Sequence, residues 1–312
     1  MAKVLDYVKP QALERQESQP LMLLSDTRLR QIMGGLWLLD GLLQMQPQMF
    51  TMTMINTVMQ PTVAGQPALV ATTLRWIIAL TTHYLVPINW AISIVQVGIG
   101  LWLLSGRRIK EIILLSTIWS VVVWYAGEGM SMLLTGQAST LTGAPGSVLL
   151  YPLLSFAFYP LRKSDGTHRN LLSRHTLRVI LGWFWVFAAL LQLQPYWWQA
   201  GQISQQIAAL YSPGTLAGRL LDPSLHSFSS LTSGIEVSLN LLLIGVFLNM
   251  GLGLLFAKGP RVHSWLMTSL IVSVVLWWCC QALGMVLTGL ATDFNSGPLL
   301  VVLALACWPT IE

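Results

Sequence analysis

The two halves of this chain carry copies of one sequence pattern. Residues 29–47 read LRQIMGGLWLLDGLLQMQP, and residues 177–195 read LRVILGWFWVFAALLQLQP, at an offset of 148 residues. A second match, at an offset of 153, joins residues 129–145 to residues 282–298. Two matches in the same order and at nearly the same offset indicate an internal duplication. Each half is therefore expected to form the same structural unit.

The composition indicates that this unit lies in lipid. Of the 312 residues, 54% are hydrophobic and only 9% are charged, whereas roughly 25% of residues are charged in a soluble domain. Apolar stretches of about 20 residues span a bilayer core of roughly 30 Å, and a helix satisfies its own backbone groups there. We predict an all-α integral membrane protein with eight transmembrane helices, at residues 30–47, 84–105, 111–134, 146–161, 177–195, 235–257, 264–287 and 297–310.

The positive charges predict the orientation of these helices. Of the 17 Lys and Arg residues, all but Arg75 and Arg219 fall on one side of the predicted membrane. Because cytoplasmic loops are enriched in Lys and Arg, we expect a multi-pass cell-membrane protein with both termini cytoplasmic. The basic charge is thus a topology signal, and no nucleic-acid partner is expected. With four helices each, the copies enter the membrane in the same orientation, as parallel repeats related by a pseudo-twofold axis along the membrane normal.

The same boundaries define the expected domain organisation. Residues 1–28 form a cytoplasmic N-terminal segment, 29–161 the first four-helix repeat, 162–176 a basic cytoplasmic linker and 177–312 the second repeat. Residues 1–20 lack the apolar stretch of a cleavable signal peptide. Cys279, Cys280 and Cys307 fall within predicted helices and are expected to be reduced packing residues.

The predicted outer loops are long and partly apolar. Residues 48–60 and 201–210 are expected to form short helices at the outer membrane interface, since long loops usually carry function or structure of their own. The first of these regions is rich in methionine (Met45, Met49, Met52, Met54, Met59). Thioether clusters can bind Cu(I), but no nearby Cys or His completes such a site. We therefore favour methionine as a flexible apolar filler, and no metal site is predicted.

Two acidic residues within the predicted helices are the best candidates for chemistry. A carboxylate in a bilayer core costs about 2.5–3.5 kcal/mol on insertion scales, so it needs a reason to be there. Asp40 and Glu128 each lie about 10 Å below the outer end of their predicted helices, where two acids can share a proton. Gln44 lies one turn outward from Asp40, and Trp37 and Trp124 lie about one turn inward. The alternative is that both acids are protonated and only hold the helix bundle together.

The second predicted helix adds two polar candidates. His83 is placed at its outer rim, as a gate or proton relay, and Asn89 lies about 10 Å deeper, as a ligand-binding residue. His83 is also the only histidine in or beside a predicted helix of the first half. Paired histidines that could ligate haem are therefore not expected.

Comparison of the copies predicts a single active pocket. Asp40 aligns with Ala188, Glu128 with Gln281 and His83 with Glu236. The second half has therefore lost both membrane acids and is expected to be a structural partner. Glu236 is expected to be an interface residue, and Asp293, in an outer loop, to be solvated.

Each half has a first helix that ends in LQxQP, a Gly-rich second helix and a Thr-Gly turn after the third helix. In these features it resembles a DoxX-type membrane unit. That group includes the small membrane subunit of thiosulfate:quinone oxidoreductase. The resemblance implies a quinone-linked role within a larger redox assembly.

The leading hypothesis is a membrane subunit of such an assembly. It binds a quinone-like or other small apolar molecule in the first repeat, where Asp40 and Glu128 handle protons. Two alternatives stay open. The first is a proton-coupled transporter of a small solute, and the second is a structural scaffold whose acids only pack.

Overall fold

The computed structural model describes residues 23–162 and 168–308. In the first half the α-helices are α1 (Asp26–Leu43), α2 (Met52–Met54), α3 (Ala68–His83), α4 (Leu85–Ser105), α5 (Ile109–Ala126) and α6 (Leu150–Phe156). In the second half they are α7 (Arg174–Leu191), α8 (Gln202–Ala208), α9 (Leu216–Thr232), α10 (Glu236–Phe256), α11 (Arg261–Cys279) and α12 (Ser296–Ala306). Short 3₁₀ or π turns connect several of them.

A small antiparallel hairpin joins the two halves. Strand β1 (Pro160–Arg162) pairs with β2 (His168–Asn170), and Leu161 lies opposite Arg169. The predicted linker, 162–176, therefore contains a strand and the start of α7, while residues 163–167 lie outside the described residues. Asn170 also donates a 2.8 Å hydrogen bond to Asp26, so the linker is tied to the start of α1.

Among the helices of the described residues, five are long and apolar enough to cross a membrane: α4, α5, α7, α10 and α11. Their burial pattern is the reverse of that of a soluble helix. In α4, Asn89 and Gln96 are buried while Ile94 and Leu101 are exposed, and α5 buries Ser120 while it exposes similar apolar residues. Polar groups inside and apolar groups outside are typical of a helix surrounded by lipid. The described helices thus fit an all-α membrane protein.

Several predicted helix boundaries differ from the structure. α1 ends at Leu43 rather than at residue 47, because the backbone N–H of Gln44 already caps the helix and Pro47 begins a separate turn. α5 ends at Ala126 rather than at residue 134. The chain then turns at Gly129 (φ +53°), where a side chain would meet the backbone of Thr62 at 2.8 Å. The last helix of each half is also shorter than predicted, with 7 residues in α6 and 11 in α12.

The loops predicted to lie outside contain two further long helices, α3 and α9, with 16 and 17 residues. Arg75 lies on α3 and Arg219 on α9, so the two exceptions to the charge asymmetry both lie on these helices. The short helices expected at residues 48–60 and 201–210 were predicted more accurately. Residues 47–63 form a series of short helical turns, and α8 lies within the predicted 201–210.

Close glycine contacts pack α1 against α4 and α7 against α10. A Cβ on Gly100 would lie 2.5 Å from the backbone nitrogen of Leu38, and one on Gly251 would lie 2.8 Å from that of Val186. Small residues of this kind let two helix backbones approach closely in a membrane. Gly100 and Gly251 therefore occupy equivalent places in the two helix pairs.

This equivalence corrects the predicted alignment of α4 with α10. Gly100 and Gly251 are 151 residues apart, as are the first residues of the two helices, Leu85 and Glu236. The sequence alignment used an offset of 153 and paired His83 with Glu236. The packing of the helices instead makes Glu236 equivalent to Leu85, so Glu236 is not the counterpart of His83.

Other contacts recur in both halves. The indole N–H of Trp37 donates to Ser116 at 3.0 Å, and that of Trp185 donates to Ser269 at 2.8 Å. Likewise, Asn89 donates to the backbone oxygen of Gln44 at 2.8 Å, and Asn240 donates to that of Gln192 at 3.0 Å. Corresponding side chains thus make corresponding hydrogen bonds.

Two hydrogen bonds that cross between the halves are reciprocal. Gln46 of the first half donates to the backbone oxygen of Ala291 at 3.3 Å, and Gln194 of the second half donates to that of Ala138 at 2.9 Å. Gln46 aligns with Gln194 at an offset of 148, and Ala138 aligns with Ala291 at 153. Each half therefore offers the other the same donor and the same acceptor.

Candidate functional site

A cavity of about 260 Å³ lies in the first half, between α1, α3, α4, α5 and the residues that follow α5. Its walls are mainly apolar and include Val58, Ile77, Ile88, Ile92, Val122, Val123 and Ala126. Val122 is 47% exposed on the outer apolar surface of α5 and also lines the cavity. The cavity wall is therefore continuous with the surface that faces lipid.

Asp40 lies in the wall of this cavity and is 1% exposed. The hydroxyl of Tyr151, on α6, donates a hydrogen bond to its Oδ2 atom. The ring of Trp37 packs against that of Tyr151, with 4.4 Å between ring centroids. A buried carboxyl, a phenol and an indole thus form one end of the cavity.

Several buried polar atoms of the cavity residues lack a hydrogen-bond partner among the described residues. These atoms are Oδ1 of Asp40, Oε1 of Gln44, Oε1 of Gln96 and Nε1 of Trp119. A buried polar group left unpaired costs about 1–3 kcal/mol, so one is usually explained by a proton, a water molecule or a ligand. A proton on Asp40 would add one donor to a region that is rich in acceptors.

Glu128 lies at the other end of the cavity, two residues beyond α5. Its Oε1 atom accepts hydrogen bonds from the Ser147 hydroxyl at 2.9 Å and from the backbone N–H of Val148 at 3.2 Å. Its Oε2 atom accepts from the Ser131 hydroxyl at 2.9 Å. Three donors hold this carboxyl in one orientation.

Asp293 from the second half completes this end of the cavity. Its Oδ1 atom accepts from the backbone N–H of Asn295 at 2.5 Å and lies 3.3 Å from the Ser147 hydroxyl, which also contacts Glu128. The prediction that Asp293 is solvated is therefore wrong. The loop before α12 folds inward and places Asp293 against Ser147, in the turn before α6.

The surroundings of these two carboxyls disfavour their charged forms. Although part of each side chain faces the cavity, protein atoms enclose both groups, and this burial raises the pKa of Glu128 to about 7. The nearby Asp293 contributes to this rise in the pKa, while the hydrogen bonds from Ser147, Ser131 and Val148 oppose it. Burial likewise raises the pKa of Asp293. Among the described residues that line the cavity, none carries a basic side chain.

The predicted site residues are only partly brought together. Asp40, Glu128, Gln44 and Trp37 all line the cavity. Because α1 and α5 end early, the predicted depth of about 10 Å is too large: Asp40 is three residues from the end of α1, about 5 Å at 1.5 Å per residue.

Three predicted residues lie elsewhere. His83 is exposed at the end of α3 and lines a separate surface depression with Arg75 and Gln60, so the structure does not place it as a gate to this cavity. It belongs to α3, which was predicted to be part of an outer loop. Asn89 is fully buried and ties α4 to α1 through Gln44, and Trp124 donates to the backbone oxygen of Pro145 at 2.7 Å. These last two positions brace the fold around the cavity.

The sequence analysis missed Tyr151, Gln96, Trp119 and Asp293. Tyr151 and Gln96 are polar residues within predicted helices, and a search that included uncharged polar side chains could have found them. Asp293 carried a weaker signal, namely that its counterpart at an offset of 153 is the neutral Thr140. No local pattern indicated that a loop of the second half would reach the first.

The corresponding positions of the second half are filled by apolar side chains. Ala188 and Phe247 stand where the first half has Asp40 and Gln96, and both are buried. Glu128 contacts Ser147 and Val148 as Gln281 contacts Ser296 and Gly297, at an offset of 149, so the buried Leu300 stands in the place of Tyr151. Phe247 packs against Trp185 with 5.4 Å between ring centroids. The polar wall of the cavity is therefore a feature of the first half.

The methionine-rich segment packs beside the cavity. Met49, Met54 and Met59 are buried in a small apolar cluster with Ile55 and Ile78, and Met54 and Met59 also line the cavity. Across residues 23–162 and 168–308, no three His, Cys, Asp or Glu side chains are grouped so that they could hold a metal ion.

No protein-family model, no curated protein and no solved structure matches this chain. The geometry of the cavity is therefore the evidence that bears on function.

Proposed function

We propose that the chain is an eight-span membrane protein built from two parallel four-helix repeats related by a pseudo-twofold axis along the membrane normal. The spans are α1, α4, α5 and α6 in one repeat and α7, α10, α11 and α12 in the other. The reciprocal hydrogen bonds of Gln46 and Gln194 support this arrangement, because a twofold axis produces pairs of equivalent contacts. α6 and α12 are short, but irregular backbone is tolerated at membrane depth where protein buries it.

We further propose that the first repeat binds a small apolar molecule with a polar ring, such as a quinone. The observation that carries this proposal is the buried Asp40–Tyr151 pair in an apolar cavity whose wall is continuous with the lipid-facing surface. At about 260 Å³ the cavity is slightly below the roughly 300 Å³ at which drug-sized pockets begin. This size suits a single head group whose apolar tail remains in the bilayer.

The residues of the cavity fit such a head group. The indole N–H of Trp119 is an unpaired donor, and Asp40, Gln44 and Gln96 offer unpaired acceptors among the described residues. A quinone carbonyl can accept from the Trp119 indole, and the two hydroxyls of the reduced quinol can donate to the unpaired acceptors. Asp40, with Tyr151 as its donor, is the group placed to exchange a proton with that ring.

Quinone chemistry implies a partner that supplies or removes electrons. We therefore propose that the protein works as a membrane subunit of a redox assembly, in line with its resemblance to DoxX-type units. The aromatic and apolar walls hold the ring, and the lipid bilayer supplies the ligand.

Binding of a short-tailed quinone to the purified full-length protein tests the proposal. Val122→Trp places an indole at the side of the cavity that reaches lipid, and we expect it to weaken binding at least tenfold. Val275→Trp is the matched control, because Val275 is the counterpart of Val122 on α11 and is similarly exposed, at 46%. The proposal fails if the wild-type protein does not bind the quinone, or if both tryptophan variants bind it as the wild type does.

A second candidate is proton-coupled transport of a small solute. It is favoured by a cleft of about 400 Å³ that shares Glu128 and Asp293 with the cavity and so offers a polar route to it. Proteoliposomes separate the two functions. A transporter takes up solute when a pH gradient is imposed across the membrane, whereas a quinone-binding subunit takes up none.

A further inference from the structure

The wall between the cavity and the neighbouring cleft contains two acids and one hydroxyl. Glu128 and Asp293 line both spaces, and Ser147 lines the cleft. The cleft is otherwise lined by many polar side chains, including Thr57, Ser131, Thr142, Gln206 and Gln281. The two acids therefore separate an apolar space from a polar one.

Ser147 has one hydroxyl hydrogen but contacts two carboxyl groups. Its hydroxyl lies 2.9 Å from Glu128 Oε1 and 3.3 Å from Asp293 Oδ1, but it has one hydrogen and donates to one acid at a time. If both acids were ionised, the contact that does not receive the hydrogen would place two acceptor oxygens together. A proton on either acid removes this conflict, because the hydroxyl then accepts from one acid and donates to the other.

The second half has a corresponding set of hydrogen bonds in which no acid takes part. Gln281, the counterpart of Glu128, donates to the Ser296 hydroxyl at 2.9 Å and to the backbone oxygen of Thr140 at 3.2 Å, and it accepts from the N–H of Gly297. Thr140 is itself the counterpart of Asp293. Both acceptors of the Gln281 amide group are defined, the Thr140 hydroxyl makes no hydrogen bond to any described residue, and with no acid present no proton has to be shared.

We propose that Glu128, Ser147 and Asp293 hold one proton between them, and that it moves between the two acids, each of which lines both the cavity and the polar cleft. In this transfer the O–H bond of the Glu128 carboxyl breaks as a bond to Ser147 Oγ forms, and the original Ser147 proton moves to Asp293. The net change is one proton moved from Glu128 to Asp293. The role of this proton rests on the proposed function, in which it is delivered to the ligand bound beside Asp40.

Other titratable groups face this pair. Asp40 on α1 and Tyr151 on α6 approach it from the cavity, and Cys280 lines the cleft. Burial raises the pKa of Cys280 to about 12, so this thiol is neutral where the acids titrate. Asp40 is the remaining group that could be confused with the pair.

Infrared titration of the protonated carboxyl band tests the shared proton in the full-length protein without added quinone. In the wild type we expect a band that persists to about pH 7 and disappears over a broader range than that of a single acid. Glu128→Gln and Asp293→Thr copy the second half and are therefore expected to fold. Each should lower the midpoint of the remaining acid by about one pH unit, because its like-charged neighbour is gone.

Ser147→Ala removes the bridge, and Ser296→Ala is the matched control in the second half. We expect the first variant to shift the frequency of the carboxyl band and the second to leave it unchanged. All variants are repeated in an Asp40→Asn background, which removes the other buried carboxyl of the cavity. The proposal is overturned if the two acids titrate independently, or if the two alanine variants give the same spectrum. A protein that shares the proton but binds no quinone would overturn the proposed function and leave this inference standing.

Discussion

Tyr151 donates a hydrogen bond to Asp40, and this contact joins α6 to α1 inside the protein. The second half has Leu300 and Ala188 at the same places, so one copy uses a polar contact where the other uses an apolar one. Asp40 and Tyr151 together therefore correspond to Ala188 and Leu300 together, and we expect that both residues can be replaced at once.

For this exchange we expect strong coupling between the two positions. Tyr151→Leu leaves a buried carboxyl without its donor, at a cost of about 1–3 kcal/mol, and Asp40→Ala leaves the phenol unpaired. The double variant, which copies the second half, should be less destabilised than the sum of the single variants. Thermal unfolding in detergent measures all four proteins, and strictly additive effects would show that the pair does not interact.

The close approach of α1 and α4 should depend on Gly100. An added methyl group there would meet the backbone of Leu38 at 2.5 Å, whereas one on Gly98 meets no atom within 4 Å. We expect Gly100→Ala to destabilise the fold by about 1–3 kcal/mol through overpacking, and Gly98→Ala to be nearly neutral. Folded yield and thermal midpoint measure the difference. Equal behaviour of the two variants would argue against this helix contact.

The stability of the protein should depend on pH through Glu128. Its pKa is raised from 4.5 to about 7 in the folded state, so the folded protein binds more protons than the unfolded chain between these values. The contribution of Glu128 to stability is then full below about pH 4.5 and is lost as the pH rises through about 7. Thermal midpoints across this range should fall less steeply in Glu128→Gln. An unchanged slope would mean that other groups set the dependence.

The contacts between the halves provide a test of the duplication. In a background without native cysteines, we expect a short bifunctional thiol reagent to link Gln46→Cys with Ala291→Cys, and equally Gln194→Cys with Ala138→Cys. Equal linking follows from the reciprocal hydrogen bonds at these positions. Linking of only one pair would contradict a twofold relation between the halves.

The sequence was most informative where a pattern repeats over many residues. Hydropathy predicted both ends of α4 and of α10 to within one residue, because a long apolar helix in lipid has few alternatives. The duplication also identified Trp37 and Trp185 as equivalent residues, which make equivalent hydrogen bonds. Asp40 was predicted at the cavity because an acid in an apolar helix is itself a strong signal.

Local turns and contacts between distant segments could not be derived in the same way. The early end of α5 depends on a left-handed turn at Gly129, and the apolar run continues past it, so hydropathy gave no warning. The residues before Tyr84 were predicted to be loop although they form α3, so His83 was placed at the rim of α4 and not on α3. Asp293 reaches Ser147 across 146 residues, and contacts at that separation leave no trace in one sequence.

The position of Asp293 has a consequence for how such a tandem protein can change. The first copy holds most of the polar pocket, yet one of its three carboxyls is supplied by its sibling. Neither copy can therefore be deleted, or separated as an independent gene product, without opening the pocket. The proposed duplication would thus have produced two halves that depend on each other for one pocket.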